Sequence, residues 1–280
     1  MTGAEIFYTV PWRATGNFPG YHASQQRGAG LRFRNHAPIT DAPDPRRFDV
    51  RASLRDPFGQ IQVRVYEQSS SIPVYVVADM SASMRYVGQH AKQDTVAEFV
   101  AAMSFSAYRT GDTFGFIGCG AASRPLEILP PTFNRAAGLA LAERLRARTF
   151  DDLSAEGLLQ APDYIGGRRA LLFVLSDFHL PEDLLYRLLD ALAYHEVVPV
   201  VLWDEREYAR LPSFCLARVT DPESKRSRLL LMRRGLRERI QKRFDERREH
   251  LRDVFLSHGR RPIFLEHGFS ADDVSRHFIG

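Results

Sequence analysis

A short polar loop follows one of the most β-branched runs of the chain. Asp79, Ser81 and Ser83 alternate in Asp79-Met-Ser-Ala-Ser83, directly after Pro73-Val-Tyr-Val-Val-Ala78. One carboxylate and two hydroxyls are hard oxygen donors, which suit Mg2+ or Mn2+. Magnesium prefers an octahedron and keeps several waters, so a few protein oxygens suffice. A second carboxylate, Asp177, follows another apolar run, Ala170-Leu-Leu-Phe-Val-Leu175, in Ser176-Asp177-Phe178. Parallel strands open on one edge of their sheet, so Asp79 and Asp177 are expected to face one ion, directly or through water. The competing reading makes Asp79, Ser81 and Ser83 a helix cap or a turn. The position of both aspartates behind apolar strands favours the metal.

The elements that must carry these loops alternate along the chain. Strands are expected at 73–78, 114–117, 170–175 and 197–203, the first and third apolar throughout, as in strands buried on both faces. Helices are expected at 94–108, where Val96, Phe99, Val100 and Met103 form one stripe, at 135–146, at 154–160 and at 181–194. This alternation predicts a parallel sheet covered by helices on both faces. Residues 1–60 are broken by Pro11, Pro19, Pro38, Pro43 and Pro45, which excludes long helices there. Residues 6–10 read as a short strand, and 61–66 as a strand with one buried face. Beyond Asp204 the pattern gives strands at 214–220, 227–232 and 262–265. A long helix is expected at 235–257 and a last one at 270–278, capped by Ser270. The organisation expected is an extended N-terminal segment (1–71) packed on the domain, a core (72–210), and C-terminal elements (211–280) completing it.

The bulk figures set limits. The chain has 280 residues, 44% hydrophobic and 26% charged, with a formal net charge of +4. That composition suits a globular protein with a sizeable core and gives no one-sided charge that would make nucleic acid the default partner. The two cysteines, Cys119 and Cys215, lie in apolar stretches without a CxxC or Cys/His cluster. They read as buried thiols rather than a zinc site. The N-terminus lacks a basic segment followed by an apolar core, and the apolar run at 170–175 is too short to span a bilayer. A cytoplasmic protein with no membrane segment is the expectation.

The loop Asp79-Met-Ser-Ala-Ser83 resembles the metal-ion-dependent adhesion site (MIDAS) of von Willebrand factor A domains. Asp44-Pro-Arg-Arg-Phe-Asp-Val-Arg-Ala-Ser53 is similar to the "DPRRIDWRAS" signature of one bacterial branch of such domains. That branch is a "domain of unknown function" family whose genes accompany MoxR-type AAA+ ATPases. Gly20-Tyr-His-Ala-Ser24 and Gly28-Ala-Gly30 resemble its upstream motif, and Leu175-Ser-Asp-Phe178 its second metal loop. Arg55-Asp-Pro-Phe58, Gly115-Phe-Ile-Gly-Cys119 and Val198-Pro-Val-Val-Leu-Trp-Asp204 are most similar to members encoded with methanol dehydrogenase genes, which are thought to help mature that enzyme.

The resemblance implies an α/β, von Willebrand factor A-like (Rossmann-like) central sheet. It implies a site for Mg2+, Mn2+ or Ca2+ on Asp79, Ser81, Ser83 and Asp177. It also implies a non-catalytic, chaperone-like adaptor that docks a client's acidic residue on the metal and works with a MoxR-type ATPase. The family supplies a further ligand, a threonine, from a loop before a helix. Here that region reads Arg148-Thr-Phe-Asp-Asp-Leu-Ser154. By spacing, Ser154 is the stand-in, with Thr149 and Asp152 as rivals.

Two other functions compete. Asp79 would suit the nucleophile of a phosphate-directed, metal-dependent hydrolase, but that chemistry wants a second acid two residues on, where Ser81 stands. No GxSxG elbow or phosphate-binding GxxxxGK[ST] loop is present. The helix at 235–257 could serve a nucleic-acid-binding module, since residues 233–253 hold nine basic residues. Five acidic residues interleave with them, as on a solvated helix with i,i+4 pairs, so nucleic acid is not the expected partner. His90, His179 and His195 lack ligand spacing, though His179 falls beside Asp177. Trp12 and Trp203 read as packing. Arg46, Arg47 and Arg51 are expected to pair with carboxylates such as Asp49.

Overall fold

The computed structural model describes residues 4–14, 19–28, 32–121, 127–208, 215–220 and 227–279. The chain forms two compact units, one of Thr9–Ile72 and one of Pro73 onward together with the residues up to Tyr8.

The smaller unit contains strands β1 (Pro19–Gly28), β2 (Arg32–Pro38) and β3 (Gln62–Ser70), with a short helix α1 (Val50–Leu54) before β3. The three strands make an antiparallel sheet in the order β1-β3-β2. On β3, Val63 and Val65 are buried while Arg64 points out, the alternation of a half-covered sheet. The signature at 44–53 becomes two capped turns. Asp44 accepts from Arg46 N–H at a 3-10 helix, and Asp49 accepts from the N–H groups of Arg51 and Ala52 at α1. Such caps satisfy donors that a helix start leaves open. Of the three arginines expected to pair with carboxylates such as Asp49, Arg47 meets a carboxylate, that of Asp44. Asp49 pairs with Arg64 at 2.6 Å and with His36 at 3.2 Å.

The larger unit runs in order through β4 (Pro73–Asp79), α2 (Lys92–Thr110), β5 (Thr113–Cys119), β6 (Glu127–Thr132), α3 (Arg135–Ala147), β7 (Leu171–Ser176), α4 (Glu182–Ala191), β8 (Glu196–Leu202) and α5 (Glu205–Tyr208). It continues with β9 (Cys215–Thr220), β10 (Ser227–Met232), α6 (Arg234–Ser257), β11 (Ile263–Leu265) and α7 (Ala271–Ile279). Six strands form one sheet in the order β11-β8-β7-β4-β5-β6. All its pairings are parallel except that of the edge strand β6. Strands β4, β5 and β7 are buried along their whole length, which accounts for the missing polar alternation. Helix α2 ends at Gly111, whose φ of 68° closes the helix in the left-handed conformation that glycine adopts freely.

Helices cover both faces. On one, Tyr75 and Val77 pack with Leu172, Val174, Leu185 and Phe255. On the other, Phe173 meets Phe99 of α2 with ring centroids 5.3 Å apart, and Phe278 of α7 at 6.0 Å. The expected α/β class, with a mostly parallel central sheet between helices, is what the chain adopts.

Three details differ from expectation. Residues 6–10 form no strand, and side chains take the first two backbone donors: Ile6 N–H donates to Ser106 Oγ and Phe7 N–H to Ser275 Oγ. The stretch expected as a helix at 154–160 is 3-10 helix over Glu156–Tyr164, with Pro162 inside it. Strand β6 went unanticipated. Its Pro130 and Pro131 lack N–H donors and fit an edge, where the ladder is needed on one side only. Cys119 is a buried free thiol, and the Cys215 side chain lies outside the described ones. No described helix is long and apolar enough to cross a membrane.

Candidate metal centre

The sheet register brings the two aspartates together. Ala78 of β4 pairs with Leu175 of β7, so Asp79 ends its strand beside Ser176, with Asp177 one residue further. Both carboxylates are buried, Asp79 at 0% and Asp177 at 1% exposure. The first loop is tightly turned. Ser81 N–H donates to Asp79 Oδ1 at 2.8 Å, and the chain enters a 3-10 helix at Ala82–Arg85. The Ser81 and Ser83 hydroxyl oxygens lie 3.1 Å apart. Ser81 is buried, and Ser83 is the partly exposed member of the set.

The second loop repeats the device. Ser176 Oγ donates to Asp79 Oδ2 at 2.8 Å and accepts from Phe178 N–H, while Asp177 Oδ1 accepts from His179 N–H. Side chains that take the N–H two residues on make tight turns. This turn is tight enough to hold Phe178 at φ 51°, the one described non-glycine residue with positive φ. A buried phenylalanine there costs about 1–2 kcal/mol, offset by packing. Its ring meets Phe255 at 5.1 Å. Trp203 Nε1–H donates to the Asp177 carbonyl at 2.9 Å, and His179 stacks on the Trp203 indole. Trp203 therefore positions the second loop, a role beyond the packing read from the sequence.

Charge at the site is uneven. Burial and the nearby Asp177 push the Asp79 carboxyl up from 3.8 to about 6. Burial opposes ionisation of Asp177 too, but Lys92, His179 and the Ser83 hydroxyl outweigh it and hold its carboxyl below the usual range. Burial keeps His179 below the usual histidine value. The Lys92 ammonium stands 3.2 Å from Asp177 Oδ2 and 2.7 Å from Glu207 Oε1, with its side chain 4% exposed.

The donor set fits a small divalent ion. Metal–oxygen bonds of about 2.0–2.1 Å at right angles place neighbouring ligands about 3 Å apart, the spacing of the two serine hydroxyls. Among the described residues no three His, Cys, Asp or Glu side chains gather as a metal cage, so the set rests on hydroxyls beside two carboxylates. Asp79, Ser81, Ser83 and Asp177 are brought together. Ser154 is not joined to them by any hydrogen bond among the described residues. Its hydroxyl accepts from Glu156 N–H, and it lines a groove of about 490 Å3 with His179, Leu180 and Arg187. Of its rivals, Asp152 touches the first loop through its backbone, its carbonyl accepting from Ala82 N–H at 2.7 Å. Thr149 borders a small polar recess with Asp152 and Gly120.

Residues outside the sequence-level set also build the site. Ser176 anchors Asp79. Asp204 accepts from the N–H groups of Gln89, His90 and Arg206, tying the segment before α2 to the end of β8. Lys92 carried one usable signal: a cation in the first turn of a helix opposes the helix dipole and needs a reason to be there.

Residues 43–250 match the family described as protein of unknown function DUF58. No curated protein is matched. Among solved structures the chain is similar to the conserved hypothetical protein BatB from Bacteroides thetaiotaomicron, at 12% identity and a TM-score of 0.47, over 75% of this chain and 100% of that one. It is similar to an aerotolerance-related membrane protein from Bacteroides fragilis at 12% identity and a TM-score of 0.45, over 75% of this chain and 97% of that one. The SpRpn10 VWA domain gives 12% identity and a TM-score of 0.34, over 47% of this chain and 74% of that domain.

Proposed function

The chain belongs to the DUF58 family of proteins of unknown function, and on that footing we propose that it is a non-catalytic, metal-dependent adaptor for protein interaction. One observation carries the proposal: two serine hydroxyls 3.1 Å apart stand beside two buried carboxylates at the same edge of a parallel sheet. Asp79, Ser81, Ser83 and Asp177 would hold Mg2+, Mn2+ or Ca2+, with Ser154 as the further ligand of the third loop. When bound, the ion supplies a positive charge that a partner's Asp or Glu can meet. Ser83, partly exposed, marks the side from which that carboxylate arrives. The two carboxylates balance the ion's formal charge, and a partner's carboxylate would bind by taking the place of a water in the ion's shell.

In this reading the protein has no turnover of its own. It works in the cytoplasm and presents a client to a MoxR-type AAA+ ATPase, which supplies work from ATP. Methanol dehydrogenase is the client that the subgroup resemblance suggests. A protein partner is favoured over nucleic acid because α6 engages much of its basic charge internally. Arg234 pairs with Glu238, Lys242 with Glu246 and Arg248 with Glu266, and Arg247 donates to the carbonyls of Phe178 and Leu180.

Pull-downs from the native cell with Mg2+ and with EDTA test the reading, with Asp79→Ala as the control. Partners, an AAA+ ATPase among them, are expected with Mg2+ only and are lost in Asp79→Ala. Identical partner sets in all three samples would refute it.

A further inference from the structure

Lys92 is expensive where it stands. It is the first residue of α2, against the positive end of the helix dipole, and the N-cap Ala91 offers no side-chain acceptor. Its ammonium is buried, so it has lost most of its water. Two carboxylates from different elements compensate it: Asp177 in the loop after β7 and Glu207 in α5. Glu207 Oε1 meets Lys92 while Oε2 is buried with no hydrogen-bond partner among the described residues, so Lys92 is the main compensation for that carboxylate. The Lys92 ammonium also lies 5.6 Å from the centre of the Tyr86 ring, near the end of the first loop. One side chain thus links α2, the first loop, the second loop and α5.

We propose that Lys92 is the resident cation of the site, neutralising Asp177 in the metal-free protein and competing with a divalent ion for that carboxylate. This rests on the metal reading of Asp79, Ser81, Ser83 and Asp177 and adds its regulation. Asp177 Oδ2 faces Lys92 and Oδ1 accepts the His179 N–H. A divalent ion that draws on Asp177 therefore meets a fixed positive charge across one carboxylate. That charge lowers metal affinity and keeps the emptied site folded, so binding is weak and reversible. It also keeps the loaded site more positive than its own carboxylates would leave it, which favours docking of an anionic group. A lysine that acts only as a tether makes the opposite prediction for affinity, because its loss would loosen both loops that hold the ion.

The test is Mn2+ titration of EDTA-stripped protein by calorimetry, with thermal unfolding in parallel, for the wild type, Lys92→Met, Lys92→Gln and Asp79→Ala. Removing a positive charge this close to a divalent site is expected to tighten Mn2+ binding about tenfold or more. The same two variants should melt below the wild type in EDTA and regain more than the wild type on adding Mn2+. Weaker or unchanged Mn2+ binding in the lysine variants, with wild-type binding intact and abolished in Asp79→Ala, would overturn the role of Lys92 alone. Absence of an Asp79-dependent Mn2+ site in every folded protein would overturn the metal reading and this inference with it. Should neither lysine variant fold, Glu207→Gln decides. It leaves the Lys92 charge to Asp177 alone and is expected to weaken Mn2+ binding several-fold, and unchanged affinity would refute the proposal.

Discussion

Replacing Asp79 by asparagine should stabilise the metal-free protein at neutral pH, although it removes a central residue of the site. The Asp79 carboxyl titrates near 6 instead of 3.8, because of burial and of Asp177 beside it. A carboxyl raised in the folded state takes protons there that the unfolded chain has already released. The folded state therefore loses stability as pH rises from about 4 to about 6. A shift of about 2 units corresponds to on the order of 3 kcal/mol at pH 7.5. Asparagine removes that penalty and keeps an acceptor for Ser81 N–H. It turns an amide toward Ser176 Oγ, which had donated to the carboxylate and already takes the Phe178 N–H. The lost bond costs about 1 kcal/mol. The net gain of about 2 kcal/mol corresponds to about 4–8 °C in melting temperature for a chain of this size. Thermal unfolding of both proteins in EDTA across a pH series is the assay. The advantage should shrink below pH 6 and change sign near about pH 4.5, where the wild-type carboxyl is largely protonated. An asparagine variant that melts below the wild type at pH 7.5, or a difference that does not change with pH, would refute the reasoning.

Two more expectations concern the scaffold. Tyr8→Phe removes a hydroxyl that donates to Asp112 Oδ2 inside the fold, and should lower stability by about 1–3 kcal/mol in denaturant titration; an unchanged midpoint would mean that the contact contributes nothing. Gly157→Ala would place a Cβ 2.4 Å from the carbonyl oxygen of Gly120. Backbone must move on both sides, so a loss of about 1–3 kcal/mol is expected, and an unchanged melting temperature would show that the third loop is not held against β5.

Burial explains what the sequence could reveal. Strands β4 and β7 lie in the middle of a parallel sheet, so they read as unbroken apolar runs, and the polar residues after them stand out. Asp79, Ser81, Ser83 and Asp177 were therefore legible, and the parallel register that joins them follows from the alternation of helix and strand. Lys92 was not. A cation in the first turn of a helix is a signal that something compensates it, but the spacing does not say what, and its partner Asp177 lies 85 residues away. Trp203 looked like packing because its indole does pack, and its bond to the Asp177 carbonyl leaves no mark in the spacing. The antiparallel sheet of the smaller unit was hidden by register shifts in β1 and β2, since a bulge interrupts the period-two pattern. The third loop was hard to read for another reason. Its contact with the first loop runs through the Asp152 backbone, which any side chain would allow.

The metal site is the claim on which the functional account depends, and anomalous diffraction from Mn2+-soaked crystals tests it most directly. The account requires one manganese peak within bonding distance of the Ser81 and Ser83 hydroxyls, next to Asp79 and Asp177, and no such peak in Asp79→Ala crystals. Manganese bound only elsewhere, or no peak at saturating Mn2+, would contradict it.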